Sequence, residues 1–263
     1  DVAPSRGLGD VYKRQVSCSV KHKKTFDYIF NKTEAITLEQ SKLTLSKDIT
    51  VLSFSDSSMV DRNSSIIKVD SGWIVYSKNS ESSILSFTSD GQFSGYIGHR
   101  GNGPGEYTSV YDVVVNQKSK VLEVLSDGGI FCYTFGGDFL DKKEVTYPAF
   151  SFAIDDRQNY WFYVGNNTTY GDAKMICTDE NIANVAYYLH QKSNMLPMVE
   201  NNFGRNGEWL TFHESLNHDL YTIENGKLDL SYAMDFPNYK LPKKLHELSG
   251  MEVIEELQRS NYA

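Results

Sequence analysis

The chain has 263 residues, of which 40% are hydrophobic and 13% aromatic (17 Tyr and 14 Phe), and it carries a formal net charge of −8 at pH 7. Ring side chains at that level favour strands, and the length suffices for one large all-β domain. The acidic balance lacks the basic stripe that a phosphate-tracking nucleic-acid binder needs, and no apolar run approaches the ~18–20 residues of a membrane-spanning helix.

Residues 1–15 resemble translated adapter sequence and are set aside as a non-native artefact. Residues 16–47 form an N-terminal tail. It opens with Val16, Ser17, Cys18 and Ser19, then the polar, basic Lys21, His22, Lys23 and Lys24. This string resembles the end of a bacterial lipoprotein signal, in which a small residue precedes a lipidated Cys. Cys18 is therefore expected to carry a lipid anchor outside the cytoplasm, at the periplasm or cell surface, and that anchor is the only expected link to a membrane.

From residue 48 to 245 a turn recurs. Segments 87–93, 133–139, 176–182 and 221–228 each hold an apolar residue, a short polar or glycine turn and another apolar residue. Asp90-Gly91, Gly136-Gly137 and Asn225-Gly226 are dipeptides of two-residue hairpins, while Asp179-Glu180 is the weakest copy. Counted from Asp90 through Gly136 and Asp179 to Asn225, the spacings are about 46, 43 and 46 residues, the length of a four-stranded propeller blade. Upstream of each turn lies a strand-like run: 72–76, 121–125, 160–164 and 208–212. A single blade cannot bury both of its faces, so stacking completes the core. The expected fold is all-β, a β-propeller of four-stranded antiparallel blades. In the final stretch, 246–263, Leu248, Met251, Ile254 and Leu257 recur at three-residue spacing and predict a short amphipathic helix, after which the array is expected to continue.

Between the first two units, Gly101, Gly103, Pro104, Gly105, Glu106 and Tyr107 sit at the expected blade boundary. This string resembles the inter-blade signature of NHL-like six-bladed propellers, in the form found in secreted lipoproteins of gut anaerobes. The segment from Tyr232 to Pro242 is similar to one that leaves a middle blade of that family. The resemblance implies that about four of six blades are present, with the chain truncated at both ends. It also implies an extracytoplasmic binding role, and no cofactor is expected.

The glycine string lacks the Lys-Ser/Thr of a P-loop, so it reads as a tight crossover: Gly supplies unusual φ, Glu106 caps backbone N–H groups and Tyr107 packs between blades. His99 and Arg100 beside it are candidates to face a ligand at the channel mouth. Tyr107 joins them as a ligand-binding candidate. So does Trp161, in the run Tyr160, Trp161, Phe162, Tyr163, where two rings must point to each sheet face. There they serve either as a sugar-stacking platform or as blade packing. His213, His218 and Asp219 have no recognised metal spacing, and Asp155-Asp156 and Asp179-Glu180 read as turn residues. Cys132 and Cys177 lie in strand-like runs as small hydrophobes, without a CxxC pattern. No catalytic constellation emerges. The expected function is non-enzymatic recognition of a glycan, peptide or protein partner at the channel mouth. Two alternatives remain open: a metal-dependent lyase or hydrolase with an axial site, and a structural scaffold.

Overall fold

The structure is a computed structural model that describes residues 28–29, 49–53, 60, 63–78, 83–166, 171–190, 201–207, 209–214, 217–235, 248 and 251–259. Cys18, residues 1–15 and the segment from Pro237 to Pro242 lie outside them.

Four antiparallel sheets of four consecutive strands follow a two-residue strand β1 (Tyr28–Ile29). The first blade holds β2 (Ser65–Val69), β3 (Gly72–Tyr76), β4 (Ile84–Thr88) and β5 (Phe93–Ile97). A crossover formed by β6 (His99–Arg100) and β7 (Glu106–Tyr107) leads to the second, of β8 (Asp112–Asn116), β9 (Val121–Ser126), β10 (Gly129–Tyr133) and β11 (Phe139–Lys143). The third is β12 (Ser151–Ile154), β13 (Tyr160–Tyr163), β14 (Met175–Thr178) and β15 (Ala186–Tyr188), and the fourth is β16 (Phe203–Asn206), β17 (Trp209–His213), β18 (Asp219–Glu224) and β19 (Lys227–Asp235). Helix α1 (Met251–Arg259) follows.

All four recurring turns join the third strand of a blade to its fourth, and all four strand-like runs are second strands. The hairpin assignment needs correction for two of them. Only Asn225-Gly226 is a two-residue turn, with Glu224 opposite Lys227 and both turn residues at positive φ. Around Asp90-Gly91 and Gly136-Gly137 the loops hold three residues, closed by Gly91 N–H to Thr88 O and Gly137 N–H to Thr134 O, with a register shift one strand residue away. Glycine at positive φ at the third loop position is what such a bulged turn requires. The weak third copy has the same bonds, with Ile182 in glycine's place at φ 59°.

The crossover matches the sequence reading. Glu106 accepts the Gly103 N–H at 2.8 Å, and a Cβ on Gly101 would lie 1.9 Å from the same carboxylate. β6 and β7 pair in parallel, which fixes the direction in which the chain enters the second blade.

The blades stack through three apolar layers. The first joins Ile74, Tyr76, Ile84 and Ile97 to Tyr107, Leu122, Val124 and Tyr133. The second joins Leu125, Ile130 and Cys132 to Phe152, Tyr160 and Phe162, and the third joins Trp161, Tyr163 and Met175 to Leu210, Phe212 and Ile223. The alternation of β13 thus puts two rings into each neighbouring interface, where each buried side chain contributes about 1.5–3 kcal/mol. Cys132 and Cys177 are buried free thiols on opposite sides of the third blade.

First strands β8, β12 and β16 run side by side. Polar clamps join their heads. Asp112 accepts the Phe152 N–H (3.1 Å) from the third blade and pairs with Lys78 (2.8 Å) from the first, so one carboxylate ties three blades. Complete burial holds that carboxyl above its ordinary pKa, against the pull of the Lys78 ammonium. Ser151 Oγ donates to Asn202 Oδ1 (2.9 Å) between the third and fourth blades.

Two features depart from the sequence reading. Tyr28 and Ile29, from the expected tail, pair in parallel with Met234 and Asp235, extending the fourth sheet to five strands. In α1, Val253 and Glu256 turn inward, while Met251 and Ile254 of the expected stripe are exposed. Three-residue spacing marks a stripe; which face finds a partner depends on what the helix meets.

Candidate functional site

His99 and Arg100 are exposed on the crossover, and Arg100 Nε donates to Thr108 O at 2.9 Å. Tyr107 is 1% exposed, donates its hydroxyl to Ile97 O and packs edge-on against Tyr133. Trp161 is fully buried in a different interface, donates Nε1–H to Asp155 Oδ2 (3.0 Å) and contacts Tyr188. The four expected ligand contacts are therefore not assembled into one surface: the crossover carries two exposed polar side chains, and the two rings serve blade packing. His213 is exposed, and among the described residues no group of three or more His, Cys, Asp or Glu is placed to hold a metal ion.

What the fold does assemble is a cleft of about 380 Å³ between the second and third blades. It opens at the end of the strands opposite the crossover, where first-to-second and third-to-fourth strand turns emerge. Three of these turns build it. In residues 116–120, Asn116 Oδ1 accepts the N–H groups of Lys118 and Ser119. In 155–159, Asp155 Oδ1 accepts those of Arg157 and Asn159, and in 179–183 Asp179 Oδ1 accepts those of Asn181 and Ala183. Asp and Asn favour turns for this reason. Each loop places a non-glycine residue at positive φ: Lys120, Gln158 and Ile182. Backbone bonds from the Asp179 turn and the Asn184 amide hold the Asp179 carboxyl below the usual carboxylate range. The turns thus carry Ser119, Gln158, Glu180 and Asn181 to the rim of the cleft, with Leu140, Asp141 and Lys143 of β11 opposite.

The floor is a buried polar network in an otherwise apolar interface. Glu123, midway along β9, has only 2% of its side chain exposed. It faces the third blade in the row Val114, Glu123, Cys132, Asp141 across the sheet. Its carboxylate accepts the Asn116 amide (3.0 Å) and the Tyr160 hydroxyl (2.8 Å). Lys143 Nζ donates to the same hydroxyl, lies over the Tyr160 ring at 4.7 Å and sits 4.0 Å from Glu123 Oε1. Burial, then the Glu123 charge, raises the Tyr160 phenol well above its ordinary value, and the same two causes push the Cys132 thiol up to about 12. At neutral pH both stay protonated. Neither the thiol nor the phenol is therefore an activated nucleophile at neutral pH. The sequence does hold a signal for this site: a carboxylate in the centre of the apolar run 121–125.

Four-stranded antiparallel blades stacked face to face, first strands adjacent, define a β-propeller array. The profile of the domain of unknown function DUF4934 matches residues 27–262, and the chain belongs to that family. No protein of curated function matches it. Among solved structures, the chain is similar to a protein from Bacteroides fragilis described as exported, at 15% identity and a TM-score of 0.67, covering 80% of this chain and 60% of that one. It is also similar to a member of the DUF4221 family from Bacteroides vulgatus, at 12% identity and a TM-score of 0.52, covering 82% of this chain and 70% of that one. These likenesses show the fold.

Proposed function

We propose that the protein is a binding propeller working outside the cytoplasm, which recognises a glycan, peptide or protein partner and performs no chemistry on it. The observation that carries this reading is the cleft between the second and third blades. Its floor is a hydrogen-bonded network of Asn116, Glu123, Tyr160 and Lys143, its turns bring Ser119, Gln158, Glu180 and Asn181 to the rim, and its thiol and phenol are held in their protonated, unreactive forms. Location outside the cytoplasm is supported by the lipoprotein-like string at Val16 to Cys18 and by the description of the Bacteroides fragilis protein as exported. On this reading Cys18 carries the lipid, and the array closes with further blades into a six-bladed ring of NHL type. The exposed pair His99 and Arg100 adds a second contact patch at the channel mouth, with Tyr107 and Trp161 buried beneath the surfaces they support.

Glycan and peptide arrays probed with the purified chain, alongside a Gln158→Ala, Asn181→Ala variant at the rim, test the reading. Binding by the parent that the variant loses, while its melting stays cooperative, is the expected result. Turnover of a bound compound, or equal binding by the variant, would contradict it.

A further inference from the structure

We infer that the cleft between the second and third blades selects a cationic group, an alkyl-ammonium or guanidinium on an apolar stem. This rests on the cleft being the binding site, as proposed above.

Charge accounting is the basis. Four charged side chains line the cleft, Glu123, Asp141 and Glu180 against Lys143, while Cys132 and Tyr160 stay neutral. The Lys143 ammonium is already committed to the Tyr160 hydroxyl and ring and to Glu123. Its charge offsets the buried carboxylate on the floor. Asp141 and Glu180 remain at the rim, both exposed, and among the described residues neither has a hydrogen-bond or ion-pair partner. An occupant therefore meets a net charge of about −2 from the lining, which repels anions and draws cations, in a chain that is itself acidic.

Shape narrows the class further. Leu140, Val121 and Cys132 give the cleft an apolar wall along which methylenes can lie, while Gln158 and Asn181 supply amide oxygens beside the two carboxylates. The volume of about 380 Å³ holds a lysine or arginine side chain. The Tyr160 ring, covered by Lys143 and stacked with Phe152 and Phe162, presents no open face on which a sugar could stack. The cleft thus has the parts for a charged head and its stem, and lacks an aromatic platform for a saccharide.

Calorimetric titration of the full chain with agmatine, with a lysine-containing tripeptide and with cellobiose tests this, read together with NMR shifts of the Asn116, Gln158 and Asn181 side-chain amides. The expected result is that agmatine, the tripeptide or both bind and shift those amides. Affinity should fall as salt rises, and by about tenfold in an Asp141→Asn, Glu180→Gln double variant whose surface changes leave the fold intact. Binding by the tripeptide alone identifies a peptide side chain as the source; binding by agmatine alone identifies a free small amine. Cellobiose shifting the amides while both cations leave them unmoved would overturn the cationic selection and leave the cleft as a binding site. Cation binding unchanged in the double variant would overturn it as well. Amides unmoved by all three probes would overturn the cationic selection, and the array experiment then decides whether the cleft binds at all.

Discussion

The third and fourth blades are built from equivalent strands, yet they treat their second strands differently. In the third, Tyr160, Trp161, Phe162 and Tyr163 are all buried, because the second blade covers one face and the fourth blade the other. In the fourth, β17 alternates: Leu210 and Phe212 are buried against the third blade, while Trp209 is 67% exposed on the far face and His213 is exposed with it. In these two blades the burial of the second strand follows the neighbouring sheet. The first blade differs: Val75, Leu85 and Phe87 are buried on the face turned away from the second blade, covered by Leu52, Trp73, Phe93 and Tyr96. The cleft sits between two blades that each have neighbours on both sides, so its floor is anchored between doubly covered sheets.

Substitutions on the two blades sharpen this contrast. Phe162→Ala, at a fully buried ring stacked with Phe152 and Tyr160, is expected to destabilise the chain by about 3–5 kcal/mol in urea unfolding. A loss under 1 kcal/mol would mean that the second interface is loosely packed.

An intermediate effect is expected at Asp127, in the turn between β9 and β10. It accepts hydrogen bonds from Tyr111, Ser109 and Thr108, which hold its carboxyl below the ordinary value. The folded pKa lies below the unfolded one of about 3.9, so this stabilisation is present above that pH and is lost as pH falls through the folded value. Asp127→Asn should lower stability at neutral pH and flatten its acid dependence. An acid limb unchanged in the variant would show that these bonds do not persist in solution.

The smallest effect belongs to the open face. Trp209→Ala is expected to change stability by no more than about 0.5 kcal/mol in the described chain. A cost near that of Phe162→Ala would show that another surface covers Trp209.

The sequence carried the repeat because its units are written locally. Threonine, aspartate and glycine at turns, and aromatic or β-branched runs in second strands, are set by backbone conformation and sheet burial within a few residues. What it did not carry depends on partners far away in the chain. Nothing in Tyr28-Ile29 announces a pairing with residues 234–235, and two-residue strands have no period to read. The alternation of rings at 160–163 was legible, but the partner of each ring was not. The crossover is legible because its glycines form a distinctive string beside His99 and Arg100. The cleft at the opposite end is not legible, since Glu123, Lys143 and Tyr160 are brought together only by the stacking of two blades. Its trace was one charged residue in the apolar run of β9.

Amide hydrogen exchange over the whole chain tests the central claim most directly. If blades are closed by their neighbours and the cleft rests on the doubly covered pair, the amides of β9, β10, β13 and β14 will exchange slowest, and those of β16 and β17 measurably faster. Protection that is uniform across the four blades, or greatest in the fourth, would contradict it.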